Sequence, residues 1–198
     1  MKLGAVGLVV MCGLLTGCSS WIPTVANSGL NYGINIGRTI SADRSLFNVL
    51  DDLSIKNTIN YALLDEALLL SISTDVYQGR VMLTGSVKDA ETRQKAEDLA
   101  RQVDGVRELY NEIQVTDESR LMSFPKDLLI ENMLEARMVL EPGVTSVNYQ
   151  MRAEKGVVYV LGIAQSRAEL DQVIALARVS GARKIVSHVF LSEHIVLD

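Results

Sequence analysis

The chain of 198 residues contains only two cysteines, Cys12 and Cys18, and both lie close to its N-terminus. The rest of the chain therefore has no thiol with which to build a disulfide or a cysteine metal site. Histidine is equally scarce, since His188 and His194 stand alone and their spacing does not fit a zinc-binding motif. We therefore expect no metal and no other cofactor.

Basic residues are too few for a nucleic-acid binder, because 19 lysines and arginines face 24 acidic residues and give a net charge of −5. Signals of catalysis are also missing: the sequence has no nucleophile elbow and no glycine-rich phosphate loop. The adjacent carboxylates Asp51-Asp52 and Asp65-Glu66 point apart on a helix, so neither forms an acid–base pair. Capping or solvation explains them better, and the sequence predicts a protein that is not an enzyme.

Long hydrophobic runs are absent as well, and the uncharged run Leu3–Leu15 is shorter than the roughly 20 residues that span a bilayer. With Lys2 before it and small residues after it, the run is typical of a signal peptide over residues 1–17. Its last residues, Leu15-Thr16-Gly17-Cys18, resemble the lipobox of bacterial lipoproteins. That resemblance implies acylation of Cys18 as the mature N-terminus, and Ser19 after it is compatible with sorting to the outer membrane, facing the periplasm. The alternative is an uncleaved N-terminus in which Cys18 is an ordinary residue.

Residues 18–50 mix glycine with polar residues and show no sustained period, so we interpret them as a mostly flexible tether. After the tether the sequence repeats itself. Gly79 and Gly156 are 77 residues apart, as are Gly85 and Gly162, and each pair lies in a strand-like run. Such self-similarity predicts two copies of one structural unit.

Local chemistry assigns the elements of each unit. Gly79 and Gly156 lie where two strand-like runs meet and predict hairpin turns. Asp89 and Ser166 are suited to cap the helices that follow. Earlier helices are predicted over Asp51–Leu64 and Pro125–Leu140, with Pro125 in the first helical turn. The predicted order is helix, strand, strand, helix, strand, twice.

This pattern resembles two copies of the BON domain, over residues 51–116 and, in a diverged form, 124–192. The residues that carry it include Leu83-Thr84-Gly85 and Gly105-Val106 in the first copy, with Gly156 and Gly181 in the second. The resemblance implies an α+β fold, in which each repeat is a three-stranded mixed sheet covered by two helices. It further implies a non-enzymatic protein that supports outer-membrane integrity and binds membrane phospholipid.

A candidate lipid-binding surface comes from comparing the second helices of the two copies. Arg93 and Glu97 of the first copy correspond to Leu170 and Ile174 of the second. Nearby basic residues could meet headgroup phosphates while the apolar pair enters the bilayer, so the predicted site comprises Arg167, Leu170, Ile174, Arg178, Arg183 and Lys184. The competing hypothesis is that Leu170 and Ile174 pack against the other repeat or against the first helix of their own.

The helix Pro125–Leu140 is a rival surface that is rich in leucine and methionine but acidic. We expect it to serve as core and as an inter-repeat or homo-oligomeric face, since methionine adapts to varied partners. Two further functions stay open. One is a protein-interaction or chaperone-like module for envelope proteins, and the other is a purely structural lipoprotein.

Overall fold

The computed structural model describes residues 46–117 and 120–192, and for residues 46–47 and 120–122 it describes the backbone alone. The predicted signal peptide, Cys18 and residues 18–45 of the predicted tether lie outside this range. In repeat 1 the elements are α1 (Leu46–Asp65), β1 (Ile72–Tyr77), β2 (Arg80–Val87), α2 (Ala90–Arg101) and β3 (Glu108–Val115). In repeat 2 they are α3 (Arg120–Leu140), a short 3-10 helix (Ser146–Asn148), β4 (Tyr149–Glu154), β5 (Val157–Ala164), α4 (Arg167–Val179) and β6 (Lys184–Leu191).

Each repeat contains one three-stranded mixed sheet, with β2 or β5 in the middle. The central strand pairs with the strand before it in an antiparallel hairpin and with the last strand in parallel, with Val81 opposite Leu109 and Val158 opposite Ile185. The parallel pair needs a crossover, and α2 or α4 provides it. The α+β fold and the tandem repeat predicted from the sequence are confirmed.

The hairpin turns and helix caps form as their local sequences predict. Gln78-Gly79 and Lys155-Gly156 have positive φ at both positions, as a two-residue turn of type I′ requires. The N–H of Thr92 donates to the Asp89 carboxylate over 2.7 Å. The N–H of Glu169 likewise donates to the Ser166 hydroxyl over 3.1 Å, so both second helices are capped.

The first helix of each repeat begins earlier than the sequence predicts. Helix α1 starts at Leu46, inside the stretch predicted to be tether, and α3 starts at Arg120. Pro125 therefore lies inside α3 instead of in its first turn. At that position proline removes the hydrogen bond that an N–H of residue 125 would donate to the carbonyl of residue 121, so the loss falls near the N-terminus of the helix.

Each repeat has its own core between its helix pair and its sheet. The residues of repeat 1 include Ile59, Leu63, Val76, Leu83 and Ala100. The residues of repeat 2 include Ile130, Leu134, Met138, Val160 and Val173. Helices cover only one face of each sheet, so the opposite face is left to make a different contact.

That opposite face packs against the sheet of the other repeat. Tyr77 and Met82 of repeat 1 form one buried cluster with Val157, Tyr159 and Leu161 of repeat 2. Met82 and Tyr159 are equivalent residues, 77 apart in the chain. Equivalent residues meet, so the repeats are related by an approximate two-fold axis that crosses the strands. The layers run helix, sheet, sheet, helix.

The two-fold axis places the hairpin turns at opposite ends of the molecule. Arg80, next to the first turn, donates from Nη2 to the carbonyl of Gly162, which is far from the second turn. The hydroxyl of Ser86, far from the first turn, donates to Oε1 of Glu154, beside the second turn, over 2.8 Å. We refer to the end that contains Gln78-Gly79 as hairpin end 1 and to the end that contains Lys155-Gly156 as hairpin end 2.

Candidate functional site

A chain of four alternating charges crosses the centre of the interface between the sheets. Nζ of Lys56 lies 3.5 Å from Oδ1 of Asp75. The Asp75 carboxylate accepts hydrogen bonds of 3.0 and 2.8 Å from Nε and Nη2 of Arg152. Nη1 of Arg152 in turn lies 3.5 Å from Oε2 of Glu131. Burial by itself raises the pKa of Asp75, but Arg152 and Lys56 outweigh it and hold the pKa below its ordinary value. The charges compensate one another, so this network stabilises the pairing of the repeats and is not a ligand site.

A second group of contacts between the repeats, both polar and aromatic, lies further along the interface. His188 Nε2 is 2.9 Å from Oε1 of Glu112, and its ring stacks on Tyr110 with the ring centroids 4.1 Å apart. The guanidinium of Arg80 lies 4.2 Å from the centroid of the Phe190 ring. These residues face one another across the repeats, so they too serve the interface.

Two buried aspartates hold the hairpin turns. The carboxylate of Asp52 accepts hydrogen bonds of 2.8 Å from the N–H groups of Gln78 and Gly79. In repeat 2, Asp127 accepts bonds of 2.8 and 2.7 Å from Lys155 and Gly156. Each aspartate thus ties the start of the first helix to the turn, where the peptide N–H groups would otherwise lack partners.

Hairpin end 2 carries a cluster of cations, which we call the basic end. Its members are Lys126, Lys155, Arg178, Arg183 and Lys184. The turn brings them together: Asp127, next to Lys126, binds the N–H of Lys155, and Arg183 donates from Nη2 to the carbonyl of Lys155 over 3.1 Å. The N–H of Arg183 donates to the carbonyl of Gly156 over 2.7 Å, so the segment that follows α4 and Arg178 reaches the same turn. All except the half-buried Lys155 are exposed.

The equivalent positions of repeat 1 carry no net positive charge. Asp51, Gln78 and Glu108 stand where repeat 2 has Lys126, Lys155 and Lys184, whereas Arg101 and Arg107 stand where it has Arg178 and Arg183. The five cations of hairpin end 2 therefore correspond to two acids, one neutral residue and two cations at hairpin end 1. The fold is the same at both ends, so the difference lies in the side chains alone.

The sequence-predicted lipid site is only partly assembled. Arg178, Arg183 and Lys184 belong to the basic end, whereas Arg167, at the other end of α4, is exposed and lies 3.3 Å from Asp171. Leu170 is only 7% exposed and lies in the core of repeat 2, and Ile174 packs against that core. Of the two hypotheses for Leu170 and Ile174, packing within their own repeat is the one this geometry matches.

The contacts of the equivalent residues explain this difference. In repeat 1, Arg93 donates to the carbonyl of Asn111 over 2.9 Å, and the Asn111 side chain donates to Glu97 over 2.9 Å. Repeat 2 has the short Ser187 in place of Asn111. Leu170 and Ile174 thus replace a polar cluster between the second helix and the last strand, where apolar side chains are covered.

Helix α3 has two apolar faces. One contains Ile130, Leu134 and Met138 and is buried in the core of its own repeat. The other includes Leu129 and Leu140, which are 58% and 81% exposed. The expectation of an inter-repeat role for α3 is wrong, because the repeats pair through their sheets and α3 contacts mainly β4 and α4.

Sequence reasoning missed Lys126 and Lys155 as members of the basic end, and it assigned Asp52 to capping or solvation. The two lysines and the role of Asp52 could have been found by extending the comparison of the copies from the helices to the turns. Over the described ranges, no group of three or more histidine, cysteine and acidic side chains is placed to hold a metal ion. Over the same residues, no helix is long and apolar enough to cross a membrane.

Comparisons with known proteins identify the repeats. The BON domain family matches residues 51–117 and 126–191. The chain is 42% identical over 144 residues to the "Uncharacterized protein in gshII 5'region" of Anaplasma centrale, covering 72% of this chain and 95% of that protein. It is 24% identical to the "Outer membrane lipoprotein DolP" of Haemophilus influenzae, covering 87% and 91%. It is also 26% identical to the "Osmotically-inducible protein Y" of Escherichia coli, covering 70% and 71%. The chain therefore belongs to the BON domain family and contains two copies of the domain.

Proposed function

We propose that this protein is a non-catalytic outer-membrane lipoprotein whose second repeat binds the headgroups of anionic phospholipids and thereby supports the integrity of that membrane. The observation that carries the proposal is the basic end, where Lys126, Lys155, Arg178, Arg183 and Lys184 converge. Lysine and arginine near an anionic lipid surface each contribute roughly 1 kcal/mol to binding. The similarity to an outer membrane lipoprotein supports the cellular location.

The anchor in this proposal is Cys18, which lies outside the described residues, and the protein faces the periplasm. The lipobox supports this part. We expect Cys18→Ser to abolish incorporation of labelled palmitate and to release the chain from the membrane fraction. Incorporation that continues in the Cys18→Ser chain would contradict the anchor without bearing on the basic end.

The headgroup-binding part is tested with the chain from residue 18 onward carrying Cys18→Ser, so that no acyl chain can hold it. We expect this protein to float with vesicles that contain phosphatidylglycerol and to remain behind with phosphatidylcholine vesicles. Raised salt should weaken binding, because exposed charges are screened. Equal flotation with both lipids, or none, would contradict the proposal.

The matched variants exchange charge at equivalent positions of the two ends. Arg178→Glu with Arg183→Glu should lower the vesicle partition coefficient by at least about tenfold, since two cations near the surface are lost. Arg101→Glu with Arg107→Glu makes the same change at hairpin end 1 and should leave partitioning almost unaltered. An equal loss from both pairs would show that net charge, and not the basic end, controls binding.

A second candidate function is binding to another protein through α3. Leu129, Met133 and Leu140 form an exposed apolar stripe on the side of the helix away from its core. Such a stripe is typical of a helix that meets a second helix, and two copies of this chain could pair through it. Sedimentation velocity would show a dimer that Leu129→Glu with Met133→Glu dissociates. A monomer at all concentrations would reject self-association.

A further inference from the structure

The pairing of the repeats brings a turn of repeat 1 to the basic end of repeat 2. Residues 66–71 connect α1 to β1 and lie at the end of repeat 1 that is far from its own hairpin. The carbonyl of Ser71 accepts a hydrogen bond of 3.1 Å from the N–H of Ser86. The Ser86 hydroxyl in turn donates to Glu154, the residue before Lys155. Two hydrogen bonds thus connect the turn 66–71 to hairpin end 2.

Leu70 projects from this turn and is 91% exposed, the largest exposed fraction among the exposed large hydrophobic side chains of the described residues. The turn itself is held in place, because the N–H groups of Ser71 and Ile72 both donate to the carbonyl of Leu68, over 2.9 and 3.0 Å. Leu68 packs against the core of repeat 1. Leu70 is therefore kept in solvent by an ordered backbone.

Other apolar groups surround the same end. Leu64, at the end of α1, is 54% exposed, and Phe124, in α3 just before Lys126, is 49% exposed. Of the two acidic residues at the end of α1, Glu66 is paired with Lys95, whereas Asp65 is exposed. Apolar side chains next to a group of cations fit the boundary between headgroups and acyl chains, where methyl groups leave water while cations meet phosphate.

We propose that the membrane-binding surface is composite, with Leu70 of repeat 1 entering the headgroup region of the bilayer beside the basic end of repeat 2. This inference rests on the proposed function and adds a residue from the other repeat to it. It also assigns a role to the pairing of the repeats, because neither repeat alone contains both the cations and Leu70. The occupant is a phospholipid bilayer, since five cations beside the leucine favour an anionic surface over an acyl chain alone.

The test uses the chain from residue 18 with Cys18→Ser, which has no thiol, so Leu70→Cys introduces a single labelling site for an environment-sensitive fluorophore. Leu50→Cys is the matched control: Leu50 is also an exposed leucine of repeat 1, at 61%, but it lies near the start of α1, which Asp52 ties to hairpin end 1. With phosphatidylglycerol vesicles, we expect a blue shift and quenching by lipid-borne quenchers at position 70 and not at position 50.

A second readout avoids the label. Leu70→Ser should lower the vesicle partition coefficient by roughly three- to tenfold, whereas Leu50→Ser should leave it unchanged, since only the former removes a side chain that transfers into the interface. Thermal unfolding should be nearly the same for both, because both leucines are exposed.

The outcomes separate the two proposals. If the unlabelled chain floats with anionic vesicles but position 70 stays in water and Leu70→Ser binds normally, the composite surface is wrong and headgroup binding by repeat 2 stands. If the chain does not float at all, both proposals fail. If positions 50 and 70 respond equally, the binding has no preferred end, which also overturns the composite surface.

Discussion

The two repeats share one fold but carry opposite charges where they meet. Repeat 1, over residues 46–117, has thirteen acidic and seven basic residues, whereas repeat 2, over residues 120–192, has seven acidic and nine basic. Within the chain of four charges at the centre of the interface every sign is reversed: Lys56 and Asp75 of repeat 1 correspond to Glu131 and Arg152 of repeat 2. Divergence of the copies has thus preserved the backbone and inverted the charges of this network.

This inversion makes the interface selective for unlike repeats. Residues at equivalent positions meet across the approximate two-fold axis, so two copies of repeat 1 would place Asp75 against Asp75. Two copies of repeat 2 would place Arg152 against Arg152. Such like-charge contacts disfavour pairing, and the observed contact of Asp75 with Arg152 favours it. The repeats are therefore complementary partners and not interchangeable modules.

The largest effect should come from giving the two repeats the same charge at the centre of their interface. Arg152→Asp buries two carboxylates together and should lower the free energy of unfolding by roughly 3–5 kcal/mol, the cost of breaking a buried pair. Exchanging all four charges, with Lys56→Glu, Asp75→Arg, Glu131→Lys and Arg152→Asp, should recover most of the loss. Urea unfolding measures both, and a quadruple variant no more stable than the single one would contradict charge pairing as the cause.

Asp52 and Asp127, which bind the hairpin turns, test a feature that the two repeats share. Asp52→Ala and Asp127→Ala each leave two peptide N–H groups of a turn without their acceptor, so each should cost roughly 2–4 kcal/mol. The losses should be similar, because the bond lengths are. Asp51→Ala, next to Asp52 but exposed, is the control and should change the midpoint of thermal unfolding little. If only one of the two substitutions lowered the unfolding free energy, the same hydrogen-bond geometry would contribute unequally to stability in the two repeats.

The dependence of the unfolding free energy on pH tests the role of Asp75. Because its folded-state pKa lies below the ordinary 3.8, the ionised carboxylate stabilises the fold above that pH. The contribution should be lost as the pH falls through the lower, folded-state pKa. The difference in unfolding free energy between the wild type and Asp75→Asn should therefore be largest near neutral pH and shrink below 3.8. A difference that does not change with pH would mean that the ion pair contributes nothing.

The smallest effect on stability should come from the charge reversals at the two ends. Arg178→Glu with Arg183→Glu, and Arg101→Glu with Arg107→Glu, alter exposed side chains and should each change the unfolding free energy by less than about 1 kcal/mol. Differential scanning calorimetry of both pairs would check this. A large loss for the repeat 2 pair alone would identify those arginines as structural and weaken the binding experiment that uses them.

Much of each repeat follows from local sequence. The turn glycines Gly79 and Gly156 and the caps Asp89 and Ser166 were predicted because each depends on residues only a few positions away. The early start of α1 and the place of Pro125 inside α3 were missed, because the ends of helices carry weaker signals than their periodic faces. Leu170 was ambiguous for another reason: an apolar residue in a helix faces lipid or core depending on which strand lies beneath it.

The sequence by itself determined the tandem repeat, the order of the elements, the family and the contrast in charge, since these depend on spacing and residue type along the chain. Only the tertiary structure decided that the sheets pair face to face, that Asp75 meets Arg152 and that Leu70 lies at the basic end of repeat 2. Those contacts join residues far apart in the chain, and they form because each sheet retains one uncovered face that must be buried. No local pattern specifies which residues will stand opposite one another after that burial.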